Sequence, residues 1–211
     1  MANDLIPDPL TTPAGLRPRG LVDLSGGGAV PHTLDYPPGS VVVVSGLPGS
    51  GKSTALGRWA AAAPVIDPRT THLACEAVMP DWLPYAVYRP WARLRYFRRL
   101  HTSTRDGAEL LVHDCGSRSW LRRHLSRLLA PQGRELHLVI LDVGAPEALA
   151  GQHSRGRSAP RRTFARHHRG LGRLVLALRA HGPAAAPGTA SVTLLDRAAR
   201  DRLPQVTFGR V

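Results

Sequence analysis

The chain has 211 residues, a net charge of +13 and a hydrophobic fraction of 43%, but aromatic residues make up only 5%. This length fits a single domain with a short appendage, whose core must consist largely of Leu, Val and Ala. The sequence has no run of 18 apolar residues and no secretory signal in its first 20 residues, so we expect a cytoplasmic protein without a membrane span. Cys75 and Cys115 are too few for a disulfide scaffold, and their spacing fits no zinc site.

The chain begins with a segment rich in Pro and Gly, residues 1–38, which predicts an irregular N-terminal extension. From Val41 onwards, short β-branched or aliphatic runs alternate with helical patterns. This alternation predicts an α/β fold with a five-stranded parallel sheet and helices on both faces. Residues 69–108 are predicted to be mostly helical, with breaks at Pro80, Pro84 and Pro90. The predicted strands are 41–45, 65–66, 110–113, 136–141 and 192–195, and the other predicted helices are 53–63, 119–129, one from 146, and 164–181.

A glycine-rich loop follows the first predicted strand of this alternating region. Residues 46–53 match G-x-x-x-x-G-K-[ST], between a hydrophobic strand and a helix. Glycines let backbone N–H groups turn inward around phosphate oxygens, and the helix N-terminus favours negative charge. Lys52 is the only lysine of the chain, which indicates a role that Arg cannot fill. The predicted nucleotide contacts are Gly46, Leu47, Pro48, Gly49, Ser50, Gly51, Lys52, Ser53 and Thr54, with Ser53 also a ligand of Mg²⁺.

The rest of the sequence narrows the class of nucleotide-binding protein. The Asn-Lys-x-Asp motif that GTPases use for guanine needs a second lysine, which is absent, so adenine is favoured. Motor and AAA+ ATPases usually follow four apolar residues with Asp-Glu, whereas Asp142 is followed by Val143. A small kinase fold fits these features best.

Five segments carry a family resemblance. In chain order, they resemble small P-loop kinases related to polynucleotide kinase and zeta toxin, a group often labelled AAA family ATPase. The resemblance covers roughly residues 39–211, which we predict to form an ATP-binding domain. It implies an Mg·ATP-dependent phosphotransferase with a flat parallel core and a mobile arginine lid, and it leaves the acceptor open. For such a kinase we also expect weak ATPase activity. The segments are 46–54 (GLPGSGKST), 65–67 (VID), 110–116 (LLVHDCG), 138–143 (LVILDV) and 151–157 (GQHSRGR).

Two aspartates follow predicted strands. Asp67 lies 15 residues after Lys52, and the resemblance implies a general base that faces the acceptor hydroxyl. An Asp-Pro pair also caps helices well, so an N-cap is the alternative for Asp67. Asp114 ends the strand predicted to lie beside the phosphate loop, where it can support Mg²⁺, unless it only stabilises a turn.

Arginines dominate the second half of the chain. Seven Arg and no acidic residue lie between Arg155 and Arg173. Arg neutralises the charge of a transferring phosphoryl group, so Arg155 and Arg157 are predicted catalytic residues of a closing lid, with a solvated basic loop as the alternative. Arg197 follows the last predicted strand, where related kinases pass the adenine, and it is the predicted base contact.

Eleven Arg and three acidic residues lie between Arg89 and Arg134, partly interleaved with aromatic residues. This pattern suits a nucleic-acid surface, but we favour an amphipathic helix whose positions alternate between core and water: Trp91, Leu94, Phe97 or Arg98, and Leu100 or His101. Three functions therefore remain: a kinase whose acceptor is a nucleic-acid 5′-hydroxyl, a nucleotide or a small metabolite; an ATP-binding switch that regulates a protein partner; and a nucleic-acid binder with a vestigial ATP site.

Overall fold

The computed structural model describes residues 15–114, 118–154 and 160–209. Within these segments, six strands form one parallel sheet in the order β1-β7-β6-β3-β5-β4, and β2 pairs with β8 in a separate parallel ladder. The strands are β1 (Gly20–Asp23), β2 (Thr33–Tyr36), β3 (Val41–Gly46), β4 (Val65–Ile66), β5 (Leu110–His113), β6 (Leu136–Leu141), β7 (Ser191–Leu195) and β8 (Gln205–Phe208). The helices are α1 (Lys52–Trp59), α2 (Pro68–Glu76), α3 (Tyr85–Arg105), α4 (Ser119–Leu129), α5 (Ala145–His153), α6 (Arg161–His181) and α7 (Arg197–Arg202).

The central strand β3 explains why the sheet is covered on both faces. Val41 and Val43 belong to a core that includes residues of α3, α4 and α6, whereas Val42 and Val44 belong to a second core with α1, α7 and the β2–β8 pair. All four valines are fully buried. Because successive strand residues point to opposite faces, a continuous apolar run is what a doubly covered strand requires. The predicted α/β architecture is confirmed.

The longest helices, α3 and α6, have 21 residues each, but both carry several arginines. In the segments that the structure describes, no helix combines the length and the apolarity needed to cross a bilayer.

The N-terminal region is more regular than predicted. Residues 1–14 lie outside the described segments, but β1 and β2 both fall inside the range 1–38 that was expected to be irregular. β1 pairs with β7, and β2 pairs with β8, so each strand finds its partner about 170 residues away. The prediction of five strands is therefore wrong. The missed strands read GLVD and TLDY, and an Asp in each, together with the turn formers around them, is typical of a loop.

Helix α3 corrects two further predictions. The predicted break at Pro90 does not occur, because Pro90 lies inside the helix. Tyr88 and Ala92, on either side of it, are buried against Cys75 of α2, and this packing offsets the lost backbone hydrogen bond. The apolar positions are only partly as predicted: Leu100 is buried and Phe97 packs against the core, but Trp91 and Leu94 are exposed. The buried residues of α3 are Tyr88, Ala92, Tyr96, Leu100 and Thr104.

A buried histidine in β6 gives the fold a testable acid sensitivity. Burial lowers the pKa of His137 from 6.5 to about 4, and its Nδ1 lies 2.8 Å from Ser191 Oγ. The unfolded chain binds a proton at this residue below pH 6.5, whereas the folded chain does so only near pH 4. Stability present above pH 6.5 is therefore lost as the pH falls to about 4, by roughly 3 kcal/mol in total.

The variant His137→Asn isolates this contribution, because an amide keeps a polar partner for Ser191 but does not titrate. Urea unfolding at pH 7 and pH 4.5 is expected to show a smaller loss of stability for the variant than for the wild type. An equal loss in both proteins would contradict the assignment.

Candidate functional site

The glycine-rich loop joins β3 to α1 and has the backbone conformation of a phosphate cradle. Gly49 and Gly51 have φ values of 89° and 90°, a region that disfavours residues with a side chain. A Cβ at Gly49 would collide with the carbonyl oxygen of Ala148, and one at Gly51 would collide with the guanidinium of Arg200. Neither glycine can therefore be replaced by a residue with a side chain without strain. The loop presents its backbone N–H groups to phosphate oxygens.

The ammonium of Lys52 is held at this loop. Lys52 is buried, and its Nζ donates to Gly46 O at 2.9 Å and to Leu47 O at 2.7 Å. Ser53 and Thr54 follow in the first turn of α1 and are exposed. The predicted lysine, the exposed hydroxyls and the N-terminus of α1 thus lie together, as an Mg·ATP site requires.

Two side chains that the sequence did not single out hold the loop from outside. Gln152 Nε2 donates to Pro48 O at 3.2 Å, and Arg200 Nη1 donates to Ser50 O at 2.6 Å. Asp201 holds the Arg200 guanidinium, with Nε 2.9 Å from Oδ1. The residues in these two contacts are 104 and 150 positions apart in the chain, so no local sequence pattern predicts the contacts.

A cavity of about 320 Å³ adjoins the loop and includes Gly51, Thr54, Arg197 and Arg200 in its lining. Arg197, the predicted base contact, lies there, but its Nη1 is paired with Glu147 Oε1 at 2.8 Å. The cavity has room for the part of a nucleotide that extends beyond the phosphates.

Removal of the Arg200 side chain tests whether this outer contact shapes the loop. Arg200→Ala is expected to weaken Mg·ATP binding about tenfold, because the loss of a charged hydrogen bond to Ser50 frees the loop. Arg202→Ala is the matched control on the same helix, since Arg202 donates to Gly28 O and Ala198 O instead. Equal affinities of both variants in a calorimetric titration would contradict this role.

Asp67 lies beside β5, at the N-cap of α2. Its Oδ1 accepts a hydrogen bond from the backbone N–H of Arg69 at 2.8 Å and lies 3.2 Å from His113 Nδ1. Burial raises the pKa of Asp67, but the hydrogen bond and charge of His113 and the N–H of Arg69 together hold it below its usual value of 3.8. The capping contact is present, and the carboxylate is ionised at neutral pH. His113 is a third residue that the sequence interpretation missed, after Gln152 and Arg200.

Asp114 directly follows β5, which lies beside β3 as predicted. It is 1% exposed, and its Oδ2 accepts from Ser45 Oγ at 3.2 Å and from the backbone N–H of Arg118 at 2.9 Å. Its Oδ1 has no hydrogen-bond partner among the described residues, and Arg118 Nε lies 3.8 Å away from it. A buried carboxylate oxygen with remaining acceptor capacity fits a role next to Mg²⁺.

Mg²⁺ at this place needs few protein ligands. In residues 15–114, 118–154 and 160–209, no group of three or more His, Cys, Asp or Glu side chains could hold a metal ion. Mg²⁺ in phosphotransfer sites is usually held by one or two side-chain oxygens together with phosphates and water, so Ser53 and Asp114 suffice. The predicted lid residues Arg155 and Arg157 lie outside the described residues.

The comparisons with known proteins identify the fold. No protein-family model and no curated protein matches the chain. A chain of the PezAT chromosomal toxin–antitoxin system of Streptococcus pneumoniae superposes with a TM-score of 0.55 and 14% identity, over 77% of this chain and 69% of that one. A candidate kinase from Chloroflexus aurantiacus does so with a TM-score of 0.50 and 15% identity, over 74% and 87%. The chain has a fold similar to that of small P-loop kinases.

A gluconokinase from Sinorhizobium meliloti, 20% identical over 79% of this chain and 91% of that one, has a TM-score of 0.47. That score is too low to support an argument about this chain. At these identities the similarities concern the fold, and the activity has to be argued from the site.

Proposed function

We propose that this chain binds Mg·ATP and transfers the γ-phosphoryl group to an acceptor hydroxyl or phosphate. One observation carries the proposal: the phosphate loop, Asp114 and Asp67 follow the ends of three adjacent parallel strands, β3, β5 and β4. Because parallel strands end at the same edge of a sheet, a nucleotide-binding loop and two carboxylates meet there. This is the set of groups that phosphoryl transfer needs.

Each group then has a defined task for a hydroxyl acceptor. The loop amides and Lys52 hold the β- and γ-phosphates and stabilise the charge on the transferring group. The acceptor oxygen forms a bond to the γ-phosphorus as the bond from that phosphorus to the β–γ bridging oxygen breaks, and ADP leaves. The acceptor proton passes to the carboxylate of Asp67 and then to solvent. His113 and the N–H of Arg69 hold Asp67 Oδ1, so Oδ2 is the oxygen that faces this task.

Ser53 and Asp114 are the residues proposed to hold Mg²⁺, which supplies charge neutralisation between the β- and γ-phosphates when it is bound. Arg197 is proposed to lie against the base of the nucleotide, in the cavity beside Gly51. Arg155 and Arg157 are proposed to close over the transferring group, where planar guanidinium groups neutralise its equatorial oxygens.

Transfer of labelled γ-phosphate from Mg·ATP tests the proposal. Acceptor pools of nucleosides, nucleotides, small metabolites and a 5′-hydroxyl RNA oligonucleotide are incubated with wild type and with Lys52→Ala. A labelled organic product made by the wild type alone is the expected result. Slow release of free phosphate in every pool would contradict a kinase and favour an ATP-dependent switch acting on a protein partner.

A further inference from the structure

A groove of about 810 Å³ runs between α3 and α6, beside the proposed phosphotransfer site. Its lining includes Pro68, which follows the proposed base Asp67, and Arg118, which contacts Asp114. The groove therefore opens where an acceptor must enter. Its volume is in the range of pockets for small organic ligands, roughly 300–1,000 Å³.

Each of the two helices presents one continuous face to the groove. On α6 the lining residues include Arg166, Gly170 and Arg173, and on α3 they include Arg89 and Arg93. Spacings of three, four and seven residues keep side chains on the same side of a helix. The groove is thus built from two aligned helix faces and is not an accidental gap between loops.

The charge of the groove is unbalanced. Five arginines, Arg89, Arg93, Arg118, Arg166 and Arg173, line it, and its described lining contains no Asp or Glu. Apart from Arg118, none of the five forms a salt bridge with a carboxylate in the described part of the chain. Four guanidinium groups without a protein counter-charge favour a ligand that brings negative charge.

The γ-phosphoryl group of ATP can contact only the arginines at one end of the groove. Arg118 marks that end, because its guanidinium contacts Asp114, which follows β5 beside the strand that leads into the phosphate loop. Arg166 and Arg173 lie seven residues apart on α6, which is about 10 Å along the helix axis. A group bound by Lys52 does not span that distance, so the distant arginines are left for charge on the acceptor itself.

Aromatic side chains share the groove with the arginines. Tyr85 and Trp120 line it and are 42% and 45% exposed, and Phe97 lies 5.3 Å from Trp120 between ring centroids in an edge contact. Exposed rings beside guanidinium groups bind planar ligands by stacking.

We propose that the acceptor is a small organic anion that binds in this groove, with a planar ring against the aromatic residues and a phosphate-class group at the arginines remote from the hydroxyl that receives the phosphoryl group. This proposal rests on the proposed function, since it names the substrate class of that site. It excludes neutral sugars as the preferred acceptors.

Binding of matched probes tests the charge requirement without any turnover. Uridine and uridine 3′-monophosphate share a planar ring and a 5′-hydroxyl and differ in one phosphate group. With the nucleotide site filled by Mg²⁺ and a non-hydrolysable ATP analogue, the 3′-monophosphate is expected to bind 10- to 100-fold more tightly, about the effect of one or two charged hydrogen bonds. Equal affinities would overturn the proposal.

Two glycines of α6 provide a matched steric test. A Cβ at Gly170 or at Gly172 would meet no atom within 4 Å, but only Gly170 lines the groove. Leu is tolerated at both helical positions and favours the helix over Gly. Gly170→Leu is expected to weaken binding of uridine 3′-monophosphate at least tenfold, about the effect of blocking the contacts of one charged group, and Gly172→Leu is expected to leave it unchanged. Equal effects of both variants would overturn the location.

The arginines provide the matched charge test. Arg93→Ala and Arg173→Ala are each expected to remove most of the preference for uridine 3′-monophosphate over uridine, whereas Arg169→Ala, on an exposed position of α6 outside the groove lining, keeps it. Unchanged preference in the first two variants would overturn the proposal.

The same assays separate this proposal from the proposed function. Groove binding that persists without any phosphoryl transfer would contradict the kinase activity alone. Transfer to neutral acceptors that Gly170→Leu does not affect would contradict the groove alone. Tighter binding of a 5′-hydroxyl RNA oligonucleotide than of uridine 3′-monophosphate, insensitive to Arg93→Ala, would replace the small-molecule acceptor with a nucleic-acid strand bound elsewhere.

Discussion

Lys52→Ala is expected to lower phosphoryl transfer by at least about 10²- to 10³-fold, the usual effect of removing one electrostatic contact to a transition state. The ammonium of Lys52 is buried and held by Gly46 O and Leu47 O, at the place where we propose that the γ-phosphate binds. Its removal takes away the only lysine of the chain and a buried charge that the loop carbonyls hold. Single-turnover transfer of labelled γ-phosphate measures the effect.

Lys52→Arg is the matched comparison for Lys52→Ala, because it keeps the positive charge and replaces the compact ammonium with a planar guanidinium group. A planar guanidinium does not fit between the two carbonyl oxygens as a compact ammonium does, so transfer is expected to fall nearly as far as with Ala. Thermal unfolding of both variants shows whether the loop is still folded. Full activity of Lys52→Arg would contradict the specific role of lysine.

Asp67→Asn is expected to lower the rate of transfer by about 10²- to 10⁴-fold, the usual contribution of a general base. An amide keeps the cap, since Asn Oδ1 can still accept from the N–H of Arg69, but it cannot take the acceptor proton. The substitution removes only the group that accepts the proton. Mg·ATP affinity is therefore expected to stay within about twofold of the wild type. Transfer at close to the wild-type rate would leave Asp67 as a cap alone.

The comparison with Asp67→Ala separates the two roles of this residue. Ala removes both, so the free energy of unfolding is expected to fall by about 1 kcal/mol, the usual cost of a lost N-cap, while the rate falls as it does with Asn. Equal stability of the Asn and Ala variants would contradict the capping contact.

The pH dependence of transfer provides a further readout of Asp67. Because the pKa of Asp67 lies below 3.8, the carboxylate is ionised throughout the neutral range, and the acidic limb of the rate is expected only below about pH 4. The same shift makes the ionised carboxylate stabilising above pH 3.8, and this stability is lost as the pH falls through the lowered pKa.

The phosphate loop was predictable because its determinants are contiguous. Eight neighbouring residues, a strand before them and a helix after them are all readable from the sequence, and Lys52 stands out as the single lysine. Asp67 and Asp114 could be proposed for a similar reason, since each directly follows a short apolar run that forms a strand.

The supporting contacts depend on the tertiary fold and were not predictable. His113 meets Asp67 only because β4 and β5 pair, and Arg200 reaches Ser50 across 150 positions. Strand β1 was missed because its partner β7 follows it by about 170 residues. In α3, the positions of Trp91 and Leu94 suggested an apolar stripe, but packing against α2 and the sheet selects Tyr88, Ala92 and Tyr96 instead.

The partition of the γ-phosphoryl group tests the central claim most directly. In a single turnover with labelled Mg·ATP and an acceptor identified from the pools, the ratio of phosphorylated acceptor to free phosphate is measured for the wild type and for Asp67→Asn. A site that orients an acceptor predicts mostly phosphorylated acceptor for the wild type and a much smaller ratio for the variant. Free phosphate as the main product of the wild type, at a rate that the acceptor does not change, would contradict phosphotransfer.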